Sequence, residues 1–202
     1  MASNPRKQLE AWLKTIEVKG KVFDFGGAQL PAKGRVGKWD ADQYVIFDLD
    51  QPHEEAKTEH KTYSLDLNNY SEGYIQYLRS VVGDCDAAFC LEVMEYVIEP
   101  VQALKAIRLL MKEGATLYIS FGFLYPEHNP IGADFLRYTQ HGARQALVSA
   151  GFVPTEGTFR MLSDGGRAAY RQLWREEGMR PSMKGADRAH DASGWLIKAI
   201  AV

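Results

Sequence analysis

Five short apolar runs recur along the chain, Lys21–Phe25, Tyr44–Asp48, Thr62–Leu67, Ala87–Leu91 and Ala115–Ser120, and helical patterns or turns separate them. Runs of this length bounded by turn residues read as buried strands. Strands that alternate with helices pair in parallel, because a right-handed crossover is the permitted return to the same sheet. The expected architecture is therefore α/β: a Rossmann-like, mostly parallel sheet with helices on both faces. Ligands of such sheets bind beyond the carboxyl ends of the strands. Those ends here carry Asp24-Phe25-Gly26-Gly27, Asp48-Leu49-Asp50, Asp66 and Glu92.

Local signals supply the remaining elements. Asn4-Pro5 reads as a cap and first-turn proline of an opening amphipathic helix through Leu9, Trp12, Leu13 and Ile16, stopped by Gly20. Between the first two strands, Pro31, Gly34 and Gly37 predict an irregular connection in place of a crossover helix. Ser71 caps a helix presenting Tyr74, Ile75, Leu78, Val81 and Val82, and Glu99-Pro100 opens another through Val101, Leu104, Ile107 and Leu110. Thr139 begins a fourth helix that Gly151 stops, and Trp195–Ile200 reads as a closing strand. Residues 163–193 have the weakest periodicity and are expected to form a loop or lid.

At 202 residues, with 46% hydrophobic residues and a formal charge of -2, the chain is suited to one sizeable core, so residues 1–202 are expected to form a single domain. No basic stripe marks the counterion-releasing surface that duplex nucleic acid requires. Cys85 and Cys90 lack the paired spacing of a zinc site, so no metal is expected and a reducing, cytoplasmic setting fits. No apolar run approaches the ~18 residues of a membrane span.

Glycines after a first strand admit a ligand close to backbone amides, and a carboxylate ending the second strand can accept from a ribose diol. Gly-x-Gly-x-x-Gly fails after Phe25, and Ala28-Gln29-Leu30-Pro31 does not offer a helix amino terminus to a pyrophosphate. A nucleoside site is therefore favoured over a dinucleotide site. The competing reading is a plain turn at Gly26-Gly27 and a solvated Asp48.

The order of motifs resembles class I S-adenosylmethionine-dependent methyltransferases, particularly those acting on small molecules and sugars. Val22–Ala28 resembles their glycine motif, Tyr44–Asp50 the ribose-binding strand and Asp66-Leu67 the adenine contact. Cys90–Val97, Pro100, Leu109–Gly114, Pro126–Pro130, Asp134–Thr139 and Ala150–Phe152 follow in the same order. The resemblance covers roughly residues 20–153, and agreement among several spaced elements makes its later half specific. It departs from the pattern at Ala28 and Leu30, where further glycines are common, and at Tyr96, where many members carry histidine.

The resemblance implies S-adenosylmethionine as cofactor, held by Asp24, Gly26, Gly27, Asp48, Asp66, Leu67 and Cys90. It implies acceptor contacts from Glu95, Tyr96, Tyr125, Arg137 and Tyr138. His128 is the candidate base, since its ordinary pKa lies near neutrality and it follows the fifth strand. The competing readings are a loop histidine and an i,i+3 ion pair of Arg137 with Asp134. The implied reaction is methyl transfer to a small-molecule or sugar-like acceptor. The alternatives are a nucleic-acid or modified-base methyltransferase, and a cofactor-binding scaffold without catalysis.

Overall fold

The computed structural model describes residues 3–49, 60, 62–124, 127, 132–155, 159–162 and 192–202. Helix α1 (Asn4–Leu13) leads into β1 (Glu17–Phe25), β2 (Lys38–Asp48), β3 (Thr62–Ser64), α2 (Glu72–Val82) and β4 (Cys85–Cys90). A 3-10 turn (Met94–Tyr96) precedes α3 (Pro100–Leu109), β5 (Met111–Gly122), α4 (Gln140–Ser149), β6 (Phe152–Pro154), β7 (Phe159–Leu162) and β8 (Ala192–Ala201). The strands form one sheet in the order β3-β2-β1-β4-β5-β8-β6, parallel from β3 to β5. Strand β8 is antiparallel to β5 on one side and to β6 and β7 on the other, where those two lie end to end.

Helices α2, α3 and α4 bury Ile75, Leu78, Leu104, Ile107 and Leu147 against Phe23, Phe25, Phe47, Leu117 and Phe121 on one face. The other face is covered by Leu9, Trp12 and Leu13 of α1 together with Ala32 and Val36 of the β1–β2 connection. That connection contains no helix, as its proline and glycines predict. Helix α1 thus shares with an irregular loop the covering that the crossover leaves undone.

Four local expectations are corrected. The cap of α1 is Ser3, whose Oγ accepts from the Arg6 amide, and the helix ends at Leu13. Ile16 does not continue it, because pairing with β2 captures the chain from Glu17 onward. Gly20 consequently lies inside β1, where the register against β2 shifts and a Cβ would strike the Asp86 carboxylate. Val81 faces outward from α2, since Ile75, Leu78 and Val82 already fill its buried stripe. The caps Ser71 and Thr139 and the first-turn Pro100 stand where they were expected, with Ser71 Oγ accepting from Tyr74 N at 3.2 Å and Thr139 Oγ1 from Gly142 N at 3.1 Å. Of the expected loop region 163–193, Ala192 and Ser193 open β8 and the rest lies outside the described residues.

Candidate active site

At the end of β1 the Gly26 amide donates to the Phe47 carbonyl at 2.7 Å, turning the chain across β2. Gly26 adopts φ +79°, a conformation that disfavours side chains, and a Cβ there would collide with Val93 Cγ2. A Cβ at Gly27 would collide with the Asp24 carboxylate. The Ala28 amide then donates to Asp48 Oδ2 at 2.8 Å, while Asp48 Oδ1 accepts from Leu49 N at 2.8 Å. The glycine turn is thereby stapled to the carboxylate that ends the second strand.

Asp24 shares the α1-facing side of β1 with Val22, by the two-residue period of a strand. It is 2% exposed, and its Oδ2 accepts from Ala32 N at 2.8 Å and Tyr44 Oη at 2.5 Å. Burial pushes its carboxyl up to about 6, against the opposing effect of the Tyr44 and Ala32 bonds. One buried carboxylate therefore folds the whole connection back onto the sheet. Beyond β3, the Leu65 amide donates to the Asp48 carbonyl at 2.8 Å, and Asp66 Oδ1 accepts from Asn68 N at 2.8 Å. Leu67 is half-buried against the main core.

The second half of the site follows β4. Cys90 is fully enclosed, and burial pushes its thiol up, so it stays protonated. Glu92 takes φ +56°, its amide donates to Ser120 Oγ at 2.7 Å, and its carboxylate pairs with Arg6 of α1. Glu95 is 3% exposed; burial pushes its carboxyl up to about 7, nearby Glu92 and Asp134 add to the rise, and Arg137 opposes it. Burial, the adjacent Glu95 and the same two acidic neighbours push the half-buried Tyr96 up to about 12.

Arg137 grips the enclosed Asp134 carboxylate with both terminal guanidinium nitrogens, with Nη2 to Oδ2 at 2.6 Å. The i,i+3 pair weighed from the sequence is thus present. Tyr138 is enclosed: its hydroxyl donates to the Met94 carbonyl at 2.9 Å, and its carbonyl accepts from Trp195 Nε1 at 2.8 Å. Of the expected site residues, Asp24, Gly26, Gly27 and Asp48 converge at one turn, with Asp66 and Leu67 in the loop just past the neighbouring strand β3. Glu95, Tyr96 and Arg137 gather at the second. Cys90 and Tyr138 are packed into the core beneath. Tyr125 and His128 lie outside the described residues.

Four participants carried no sequence signal strong enough to be singled out: Tyr44, Ser120, Arg6 and Asn68. The first three bind groups 20, 28 and 86 residues away. Only Asn68, two residues after Asp66, has a readable local feature, the Asx-type turn. Among the described residues no cluster of three or more potential metal ligands occurs.

No family model and no curated protein matches the chain. Solved structures do. An S-adenosylmethionine-dependent methyltransferase from Mesorhizobium loti matches with TM-score 0.57 and 15% identity over 97% of each chain. A Burkholderia thailandensis 1,6-didemethyltoxoflavin-N1-methyltransferase, solved with bound 1,6-didemethyltoxoflavin and S-adenosylhomocysteine, matches with TM-score 0.56 and 13% identity over 98% of this chain and 78% of the other. The cyclase SpnF matches with TM-score 0.58 and 15% identity over 99% and 83%. With the sheet order, these overlaps show that the chain has the fold of class I S-adenosylmethionine-dependent methyltransferases.

Proposed function

We propose that the protein binds S-adenosylmethionine at the carboxyl ends of β1–β3 and transfers its methyl group to a small-molecule or sugar-like acceptor, at oxygen or nitrogen. The observation that carries this reading is the Gly26-Gly27 turn bonded through Ala28 to Asp48, with Asp66 two residues past the end of the next strand. The donor set fits the cofactor. Asp48 retains lone pairs on both oxygens for a ribose diol, Asp66 can accept from an exocyclic amine, and the two glycines admit the methionine portion to the backbone. When bound, the cofactor supplies a methyl group already activated on a sulfonium.

The protein's own residues then have to align the acceptor and exclude water. The turn Met94–Tyr96 and the Asp134–Arg137 pair form the wall on which an acceptor would be oriented. Glu95 holds or releases a proton near neutral pH, and His128 is the proposed base where the acceptor is an alcohol. A second reading, a fold retained for chemistry other than methyl transfer, is favoured by the likeness to a cyclase.

The test is label transfer from methyl-labelled S-adenosylmethionine to fractionated cell extract, run beside titration with S-adenosylhomocysteine. Transfer to a small-molecule fraction supports the proposal. Saturable binding without transfer to any fraction supports the second reading. Once an acceptor is identified, His128→Ala should slow single-turnover transfer to a hydroxyl by about 100-fold or more with cofactor affinity nearly intact. A wild-type chemical rate in that variant would remove the base role.

A further inference from the structure

We infer that Asn68 is a positioning residue that couples the adenine side of the cofactor site to the acceptor-side turn Met94–Tyr96; the inference rests on the methyl-transfer reading above. Its side chain mimics a peptide unit of a neighbouring strand. Nδ2 donates to the Tyr96 carbonyl at 2.8 Å, and Oδ1 accepts from the Ile98 amide at 2.8 Å. These two partners also determine which way the amide faces, because a carbonyl can only accept and an N–H only donate. The Asn68 backbone amide donates in turn to Asp66 Oδ1, so one residue holds the carboxylate of the adenine side and the backbone of the acceptor side at once.

The turn receives three separate anchors on three successive carbonyls. The Met94 carbonyl accepts from Tyr138 Oη at 2.9 Å, and that of Glu95 accepts from the amides of Phe135 and Leu136 at 2.7 and 3.2 Å. The Tyr96 carbonyl accepts from Asn68. The first two anchors come from the segment between β5 and α4. The third comes from the loop that carries Asp66 and Leu67. Asn68 is exposed and fills no core space, so packing does not account for its amide group at this position. When a ligand amine engages Asp66, the carboxylate and the Asn68 turn tighten together, and the Tyr96 and Ile98 bonds carry the ordering into the turn that bears Glu95. Linkage makes the effect reciprocal: an acceptor that orders the turn also tightens cofactor binding.

The test uses the full chain with S-adenosylhomocysteine as the probe and amide hydrogen exchange of residues 94–98 as the readout. In the wild type, saturating S-adenosylhomocysteine should slow exchange in this segment by about 5-fold or more, the lower end of ordinary coupling. Asn68→Asp keeps an acceptor for the Ile98 amide, loses the donor to the Tyr96 carbonyl, and sets a negative oxygen against that carbonyl. It should still bind the probe, with turn protection falling to about 2-fold or less. Asn68→Ala removes both bonds and should behave alike, and thermal melting of both variants separates this loss from unfolding. Equal turn protection in the wild type and in folded Asn68→Asp would overturn the inference, as would probe binding that leaves the wild-type turn unprotected. Failure of the wild type to bind the probe would remove the methyl-transfer reading, and the coupling with it.

Discussion

The two halves of the site are built by opposite means. On the cofactor side, three carboxylates, Asp24, Asp48 and Asp66, each accept backbone amides from within twenty residues, and the loops they hold follow the strands directly. On the acceptor side, side chains and amides from distant segments close on the carbonyls of one short turn, and charged groups are enclosed beside it. Backbone amides directed at carboxylates make a rigid cradle whose chemistry is common to many ligands. A turn assembled from β3, β4, β5 and the approach to α4 can be reshaped by changing any one of its anchors. On the methyl-transfer reading proposed above, the first half would recognise a shared cofactor and the second would select the acceptor.

The sharpest way to break the comparison is Gly26→Ala. The positive φ costs about 1–2 kcal/mol and the clash with Val93 about 1–3 more, so folding stability should fall by roughly 2–5 kcal/mol, measured by denaturant unfolding. Adding Val93→Ala should recover the clash and leave the backbone cost. No recovery in the double variant would show that Val93 does not set the approach of the two halves.

Asp48→Ala removes the staple between the glycine turn and β2, and cofactor binding should weaken by about 1.5–3 kcal/mol in an S-adenosylhomocysteine titration. Unchanged affinity in a folded variant would move the ribose contact elsewhere on the sheet edge.

The smallest effect separates the halves by pH. The Glu95 carboxyl lies at about 7 when folded and 4.5 when unfolded, so the unfolded chain releases its proton first as pH rises. Below pH 4.5 the group is neutral in both states and carries no penalty; the penalty grows through that window and is complete above pH 7. Glu95→Gln should therefore cost about 1–2 kcal/mol of stability at low pH, where the buried amide replaces an already neutral carboxyl and brings its own desolvation cost. At pH 8 it should raise it by about 1–2 kcal/mol, less than the full shift because the amide keeps part of the desolvation cost. A stabilisation equal at both extremes, measured by thermal melts across the range, would mean that Glu95 titrates normally.

Much of the fold was legible from one strand of reasoning: apolar runs of strand length, caps at Ser71 and Thr139, and Pro100 at a helix start. Each is a local signal, because helix caps and strand periodicity act within a few residues. The geometry of the proposed cofactor half was legible for the same reason, since a glycine turn and the acids at or just past the strand ends lie beside the elements that position them. Where local signals competed, tertiary pairing prevailed: Ile16 fits a helical period, yet its carbonyl accepts from the Lys38 amide and the chain enters β1 at the next residue.

The sequence by itself determined an α/β sheet, an irregular β1–β2 connection and acids at the strand ends. Only the tertiary structure decided that α1 covers the face beside that connection, that β8 runs antiparallel between β5 and β6, and that Tyr44 holds Asp24. It alone decided that Asn68 joins two loops and that Glu95 is buried at a carboxyl near neutrality. The physical reason is range. Propensity, capping and periodicity are properties of neighbouring residues, whereas a hydrogen bond across the sheet and the desolvation of a carboxyl depend on which distant segments close around it.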